Sequence, residues 1–191
     1  MARPKYRKSD VLATEKLSAS FWKLLSTNPY SKLSISEICK DAGLIKNTFY
    51  YHYENLDDMA MSLIHASLDE RFAALILCSA FNDTTTIPED YIYRNEQFQH
   101  LCLVAGKNSH PLLISTLKES ILKVWFSVLK KDESEIPKDL YIASVFAING
   151  ILSLLALNNT ENDFSFITAA ELIQQDFVKA LLKSIVELAN K

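Results

Sequence analysis

The chain has 191 residues, of which 49% are hydrophobic, and its formal net charge at pH 7 is -3. This length can bury an adequate core without disulfides or metals, and only three glycines and five prolines favour helix throughout, so we expect an all-α protein. Three widely spaced cysteines fit neither a disulfide framework nor a metal site, which is typical of a reducing compartment. The N-terminal segment MARPKYRKSD is charged and has no apolar stretch, so we expect no signal peptide and a cytoplasmic protein.

Positive charge is concentrated in the N-terminal part of the chain. Residues 1–53 contain nine Lys or Arg and four Asp or Glu, a net charge of +5, whereas residues 54–191 contain eleven and nineteen, a net charge of -8. A basic region attached to an acidic body is typical of a module that binds a polyanion, although basic tails are also common as solvated segments. The arm that begins the chain can reach phosphates through Arg3, Lys5, Arg7 and Lys8.

Three short helices are predicted at the N-terminus. The first ends before Pro29, and its apolar face consists of Ala13, Leu17, Phe21 and Leu24. The second begins directly after Ser34, because Ser34 and Glu37 have the spacing of a capping box. Gly43 can take the left-handed conformation that ends a helix, so a turn of about three residues leads into the third helix. Residues 34–53, SISEICKDAGLIKNTFYYHY, therefore form a predicted helix-turn-helix, the motif whose second helix enters the major groove of DNA.

The third predicted helix has a core side and a solvent side. Ile45, Phe49 and Tyr53 recur at four-residue spacing, so we expect them to face the core. Cationic, polar and phenolic side chains, which can contact phosphates and base edges, remain on the sides and front. These residues are Lys46, Asn47, Thr48, Tyr50 and Tyr51.

The run AGLIKNTFYYHYENLDDM, together with the capped helix before it, resembles the DNA-binding domain of the tetracycline-repressor (TetR/AcrR) family of bacterial transcription regulators. The likeness is greatest to members with a TFYYHF-like recognition helix, and it covers about residues 8–65. Elsewhere the chain is similar in length, all-helical pattern and helix order. The resemblance implies a three-helix helix-turn-helix domain with its basic arm at residues 1–54. It also implies a larger helical domain for effector binding and dimerisation at residues 55–191.

The resemblance further implies which side chains contact DNA. With the polar residues of the third helix, the predicted DNA-binding set is Ser34, Ser36, Lys46, Asn47, Thr48, Tyr50, Tyr51 and His52. The alternative for Tyr51 is half-buried packing, and for His52 it is packing or a bond to a tyrosine. Two positions depart from the family pattern. Ile45 stands where a small polar N-cap is usual, and Leu56 stands where a lysine is usual, which removes one expected phosphate partner.

A long fourth helix is predicted next. Asn55 and Asp58 repeat a capping pattern, and the apolar residues that follow continue to about Cys78. We expect one rigid rod that connects the helix-turn-helix to the remainder of the chain.

The stretch LYIASVFAINGILSLLAL, residues 140–157, carries no charge and is close to the length of a membrane span. A helix buried on all sides is the better interpretation, because the stretch contains Asn149 and lacks flanking basic clusters. Its small residues and the apolar face of the last helix predict a dimer interface, with packing inside one subunit as the alternative. The predicted interface residues are Ala143, Ala147, Gly150, Leu154, Phe177, Leu181 and Ile185. The resemblance implies that the last two helices pair with their copies in a four-helix interface.

Two copies of the motif related by a two-fold axis would read two half-sites, so the expected partner is double-stranded DNA with a pseudo-palindromic operator. We expect a homodimeric transcription regulator whose affinity for DNA responds to a small effector; repression is the favoured effect, and activation is the alternative. Candidate residues for lining an effector pocket are Tyr91, Tyr93, Phe98, His100, Trp125 and Phe126, with core packing as the alternative. A second hypothesis is a DNA-bound protein whose C-terminal domain recruits a protein partner.

Catalytic motifs are absent from the sequence. It has no glycine-rich phosphate loop, no GxSxG and no HExxH, and its histidines are distant from one another and from any cysteine at ligand spacing. The acidic residues that follow His52 are better explained as charges at a helix start than as metal ligands. We therefore expect no enzyme activity, cofactor, metal or membrane association.

Overall fold

The computed structural model describes residues 8–68, 70–79, 81, 96–132, 135–157 and 175–191. These residues form nine α-helices and one short 3₁₀-helix, and none of them forms a strand. The helices are α1 (Lys8–Thr27), the 3₁₀-helix (Tyr30–Lys32), α2 (Ile35–Ala42), α3 (Lys46–His52), α4 (Leu56–Ala66), α5 (Glu70–Ser79), α6 (Glu96–Ala105), α7 (Pro111–Val128), α8 (Lys138–Leu157) and α9 (Asp176–Ala189). The predicted fold class is confirmed: an N-terminal helix-turn-helix domain is followed by a larger all-helical part. We call α1–α3 the head and α4–α9 the body.

The head is held together by side chains from all three of its helices. Leu17 and Phe21 of α1, Ile38 of α2 and Phe49 of α3 are each 0% exposed, and the three helices contact one another. The buried face of α1 differs slightly from the predicted one. At the end of the helix, Leu25 is fully buried, whereas the predicted Leu24 is only half-buried. This shared core fixes the angle between α2 and α3.

The predicted single rod from Asn55 to about Cys78 is wrong. Helix α4 ends at Ala66, and α5 begins at Glu70. The break lies at Ser67, a buried residue whose hydroxyl donates a hydrogen bond to the Leu63 carbonyl at 2.9 Å. Serine hydroxyls that bond to their own backbone compete with regular helix. Because of this break, α4 and α5 are separate helices that both contact α7.

The body packs around α7 and α8. Leu113, Leu117 and Trp125 of α7 are at most 2% exposed, and they share one hydrophobic cluster with Ile148 of α8 and Ile185 of α9. The same cluster includes the core of the head, and α1 and α4 contact α6. The head and the body therefore meet through packed side chains.

Helix α8 is not buried on all sides. Tyr141, Ile142 and Phe146 are 49%, 53% and 71% exposed, while Leu140, Ser144 and Ile148 face the interior. Among the described residues, no helix combines the length and the apolar character that crossing a membrane requires. The exposed residues give α8 an apolar face that the described part of the chain does not cover.

Candidate nucleic-acid interface

The N-terminus of α2 has the cap that the sequence predicts. Ser34 is extended, and its Oγ accepts a hydrogen bond from the Glu37 backbone N–H at 3.3 Å. The same hydroxyl donates to Glu37 Oε2 at 2.7 Å. The predicted start at Ile35 is confirmed. Ser34 is therefore engaged in the cap, whereas Ser36 in the first turn of α2 is exposed.

Gly43 ends α2 in the left-handed conformation, with φ 65° and ψ 33°. Its N–H donates to the Lys40 carbonyl at 3.2 Å, and the Leu44 N–H donates to the Cys39 carbonyl at 2.8 Å. This pair of bonds is a Schellman motif, which satisfies two carbonyls at the helix end. The predicted three-residue turn from Gly43 to Ile45 is confirmed, and it connects the end of α2 to the start of α3.

The prediction that Ile45 faces the core is wrong. Ile45 is 68% exposed and extended, and no side chain caps α3. Leu44 packs against the core instead. The four-residue spacing holds at the next two positions: Phe49 is fully buried inside α3, and Tyr53, which directly follows the helix, is half-buried against it with ring centroids 5.6 Å apart. An exposed isoleucine at the start of α3 is a feature that the periodicity argument missed.

The solvent side of α3 presents the predicted polar residues. Lys46 and Asn47 are exposed, and Tyr50 and Tyr51 are 56% and 70% exposed. Because these positions are related by steps of three and four residues, they share one face of the helix. Thr48 and His52 are half-buried at its edges, and the His52 ring lies edge-on to Tyr51 with centroids 4.9 Å apart. The face combines a cation, an amide and two phenols, which together can contact phosphates and base edges.

Two polar contacts lie on the helices that flank α3. Lys23 of α1 bonds to Asp41 of α2, with Nζ and Oδ1 2.5 Å apart. The hydrogen bond from Lys23, followed by one from Ser20, lowers the pKa of the Asp41 carboxyl. At the start of α4, Asn55 Oδ1 accepts a hydrogen bond from the Asp58 N–H at 2.9 Å, so the predicted cap is confirmed.

Leu56 packs against the core at the position where the TetR family usually places a lysine. Its side chain is therefore directed away from the solvent that surrounds α3. The start of α4 has two acidic residues in its first turn, Asp57 and Asp58. Positive charge beside this face comes from Lys46 and, across α2, from the exposed Lys40.

The predicted effector-pocket residues are not brought together in the described part of the chain. Tyr91, Tyr93 and the side chain of Phe98 lie outside the described residues. His100 stacks on Trp22 of α1, while Trp125 and Phe126 are 2% and 3% exposed in the core. Phe126 also reaches an open groove of about 460 Å³ at the surface of the body. The groove is lined by Glu119, Leu122, Lys123, Phe126, Ile136, Lys138 and Tyr141.

The predicted dimer-interface residues divide into buried and exposed groups. Ala147 and Ile185 are buried within the chain, and Ala143 and Leu181 are half-buried. Gly150 is exposed, and Phe177 is 67% exposed, whereas the side chain of Leu154 lies outside the described residues. Sequence reasoning missed Ile142 and Phe146. The four-residue steps from Ile142 to Phe146 and Gly150 could have indicated this face.

Within the described residues, no group of three or more His, Cys, Asp or Glu side chains could hold a metal ion. The basic arm, Arg3, Lys5 and Arg7, precedes the described residues, and the side chain of Lys8 is also outside them. The predicted DNA-binding residues that the structure describes therefore lie in α3 and at the start of α2.

No protein-family model and no curated protein sequence matches this chain. Among solved structures, the chain is similar to the TetR family repressor AlkX from Dietzia sp. strain DQ12-45-1b, implicated in the biodegradation of n-alkanes. The identity is 17%, over 91% of this chain and 96% of the repressor, with a TM-score of 0.47. It is also similar to the dihydroxyacetone kinase operon activator DhaS, with 16% identity, 94% and 95% of the two chains covered, and a TM-score of 0.32. Both similarities concern the fold.

Proposed function

We propose that the protein is a transcription regulator of the TetR type that binds double-stranded DNA with α3. The observation that carries the proposal is the two-sided arrangement of this helix. Phe49 anchors one side in the core of the head, and the opposite side presents Lys46, Asn47, Tyr50 and Tyr51 to solvent. A helix with seven residues, reached by a tight turn, is the right size for the major groove.

Each side chain of α3 has a role that fits its chemistry. Lys46 neutralises a phosphate or reaches a base edge, and Asn47 offers an amide. The Tyr50 hydroxyl donates to a phosphate. Tyr51, whose ring is 70% exposed, packs on a thymine methyl or a sugar. Thr48 and His52 make secondary contacts from the edges of the same face, and Ser36 approaches the DNA backbone from α2.

The protein acts as a homodimer in this proposal. Helices α8 and α9 contact each other, and both expose large apolar side chains, with Phe146 71% and Phe177 67% exposed. Full burial of one such side chain is worth roughly 1.5 to 3 kcal/mol, so the face favours self-association. Pairing α8 and α9 with their copies gives a symmetric four-helix interface. Ala147 of α8 and Ile185 of α9 are buried inside the subunit, so they belong to the packing of these two helices and not to their exposed face.

A two-fold dimer carries two copies of α3, which read half-sites about 34 to 36 Å apart or a multiple of that distance. The operator is therefore pseudo-palindromic. Repression follows if the bound dimer blocks access to a promoter, and an apolar or amphipathic effector in the body would change the spacing of the two heads. An effector acts in this way only if it prefers one dimer geometry.

The apolar face of α8 also supports a second candidate function, recruitment of a protein partner to DNA. The same side chains, Ile142, Phe146 and Phe177, would then contact the partner in place of a second copy. The oligomeric state of the purified protein distinguishes the two, because a stable dimer covers this face and a monomer leaves it free.

The experiment that tests the proposal is selection of bound sequences from random duplex DNA at moderate salt. We expect enrichment of a two-fold symmetric sequence by the wild-type protein. Lys46→Ala and Tyr50→Ala should lose affinity while unfolding within about 1 kcal/mol of the wild type, because both side chains are on the surface. Lys107→Ala, which removes an exposed cation from the body, is the matched control and should bind normally. Failure to enrich any sequence would overturn the proposal.

A further inference from the structure

The turn between α6 and α7 reaches across to the end of α1. Asn108 in this turn donates from Nδ2 to the Leu25 carbonyl at 3.0 Å and to the Ser26 carbonyl at 3.1 Å. Its own carbonyl accepts a hydrogen bond from the Tyr30 N–H at 2.8 Å. One residue of the body therefore makes three hydrogen bonds to the head.

These bonds satisfy groups that α1 cannot satisfy itself. The last carbonyls of a helix have no N–H partner within the helix. Asn28 bonds to the Leu24 carbonyl through its backbone N–H, at 2.9 Å, but the next two carbonyls receive their donors from Asn108. The cap of α1 is thus supplied by a residue about eighty positions later in the chain, with separations of 83 and 82 residues.

Tyr30 extends the connection to the start of α4. Its side chain is 6% exposed, and its hydroxyl donates to Asp57 Oδ1 in the first turn of α4. Burial, followed by this hydrogen bond and the negative charge of Asp57, raises the pKa of Tyr30, so the hydroxyl remains a donor at neutral pH. The Tyr30 ring also lies 5.8 Å from the ring of His110, the N-cap of α7.

Hydrogen bonds constrain orientation in a way that apolar packing does not. The apolar contacts between α1 and α6 resist separation of the head from the body, but burial is non-directional and tolerates sliding. The bonds of Asn108 require alignment of donors with carbonyl lone pairs, so they fix rotation as well as distance. A shift of the α6–α7 turn would be passed directly to the end of α1 and, through Tyr30, to the start of α4.

We propose that Asn108 is a positioning residue for DNA reading, which fixes the orientation of the head on the body. This inference rests on the proposed function, because its consequence is the spacing between the two α3 helices of a dimer. Asn108 does not touch DNA in this arrangement. It acts through α1 and Tyr30, and its loss leaves the DNA-reading face intact but imprecisely placed.

The test compares the wild type with Asn108→Ala and Asn108→Asp. Asn108→Asp keeps the shape of the side chain but replaces its NH₂ group with a carboxylate oxygen. This oxygen cannot donate to the Leu25 and Ser26 carbonyls and is repelled by them. Lys107→Ala, an exposed neighbour in the same turn, is the control. Each protein is titrated with the selected operator, with operators whose half-site spacing differs by one or two base pairs, and with a single half-site. Should Asn108→Asp fail to fold, Asn108→Ala carries the test.

We expect the Asn108 variants to lose about tenfold in their preference for the selected spacing, which corresponds to two hydrogen bonds of ordinary strength. Binding to a single half-site should be unchanged. Lys107→Ala should keep the wild-type spacing preference. If the variants weaken binding equally at every spacing, or leave the preference unchanged, the positioning role is overturned.

Amide hydrogen exchange of the protein without DNA tests the role of Asn108 independently of the proposed function. Asn108→Ala keeps the backbone carbonyl that accepts from the Tyr30 N–H and removes the two side-chain bonds to α1. The turn should then be held less firmly against α1, so exchange should become faster at Tyr30 and Leu33, whereas the amides of α7 at Leu117 and Ile121 should exchange as in the wild type. Unchanged exchange at Tyr30 would overturn the claim that Asn108 holds the head. If the wild-type protein binds no duplex, the proposed function fails, and the exchange result alone decides whether Asn108 fixes the head on the body.

Discussion

Trp22 and His100 lie face to face, with ring centroids 4.1 Å apart and an angle of 8° between the ring planes. Trp22 belongs to α1 in the head and His100 to α6 in the body, so the pair is a direct contact between the two parts. The His100 side chain is 15% exposed, and its Nε2 lies 3.8 Å from Oε1 of the largely exposed Glu96. The residue predicted to line an effector pocket is instead part of the junction between head and body.

This stack makes the stability of the protein sensitive to acid. Burial lowers the pKa of His100 below its ordinary value, and Glu96 offsets this only in part. A lowered pKa in the folded state means that the unfolded chain takes up a proton first as the pH falls. The contribution of neutral His100 to the free energy of unfolding is therefore fully present above about pH 6.5. It is lost as the pH falls from there through the lower pKa of His100 in the folded state.

We expect His100→Gln to reduce the loss of stability between pH 7.5 and pH 5.5. The measurement is the free energy of unfolding in urea at both pH values, for the variant and the wild type. Because the two proteins differ only at position 100, the difference between the two losses reports His100. An identical loss in the two proteins would contradict this reading of the stack.

Lys46 should contribute to DNA affinity mainly through charge. Neutralising one phosphate releases about one condensed counterion, and the dimer carries two copies of Lys46, so Lys46→Ala should reduce the slope of log K against log salt concentration by about 2 on the full operator. Tyr50→Phe, which removes a hydroxyl and no charge, should weaken binding without changing the slope. Titration of the selected operator at several salt concentrations gives both slopes. A Lys46→Ala slope equal to that of the wild type would place Lys46 away from the phosphates.

Gly43→Ala should destabilise the protein by roughly 1 to 2 kcal/mol, because a Cβ is unfavourable at φ 65°. A Cβ at this position would meet no atom within 4 Å, so the penalty comes from backbone conformation rather than crowding. The control is Gly150→Ala, at a helical position that is equally open, where alanine should not destabilise the isolated subunit. Urea unfolding of both variants provides the comparison.

The boundaries of α2 could be predicted because their signals are local. Ser34, Glu37 and Gly43 act within a few residues of one another, so their spacing in the sequence is also their spacing in the structure. The burial of Phe49 followed from helical periodicity. The same argument failed at Ile45, because that residue lies outside the helix and its extended backbone turns the side chain to solvent.

Features that depend on distant residues could not be predicted. The end of α4 was missed for a different reason: Ser67 is a local signal, but apolar residues continue on both sides of it in the sequence. The bonds of Asn108 join residues more than 80 positions apart, and no local pattern indicates them. Composition alone could not show that α8 has an exposed face, because a helix with few charges has the same composition whether or not its own chain covers it. Only the four-residue spacing of Ile142, Phe146 and Gly150 indicates the face.

The exposed face of α8 gives the most direct test of the homodimer. Phe146 is 71% exposed in the single chain, so replacing it with serine removes little of the subunit's own core. In a symmetric interface each copy loses the same side chain, and roughly 3 kcal/mol of lost burial should raise the dimer dissociation constant about 100-fold. Sedimentation equilibrium of Phe146→Ser measures this constant. Leu12→Ser, which removes a 52% exposed apolar side chain from α1, is the control and should remain as dimeric as the wild type.

Loss of the dimer should also be visible in DNA binding. Phe146→Ser should bind a full operator only about as tightly as a single half-site, because the second contact is no longer supplied by a linked copy. Its urea unfolding, measured at concentrations where the wild type is dissociated, should match that of the wild type. If Phe146→Ser remains dimeric and binds the operator normally, the interface lies elsewhere, and the apolar face of α8 is left for a protein partner.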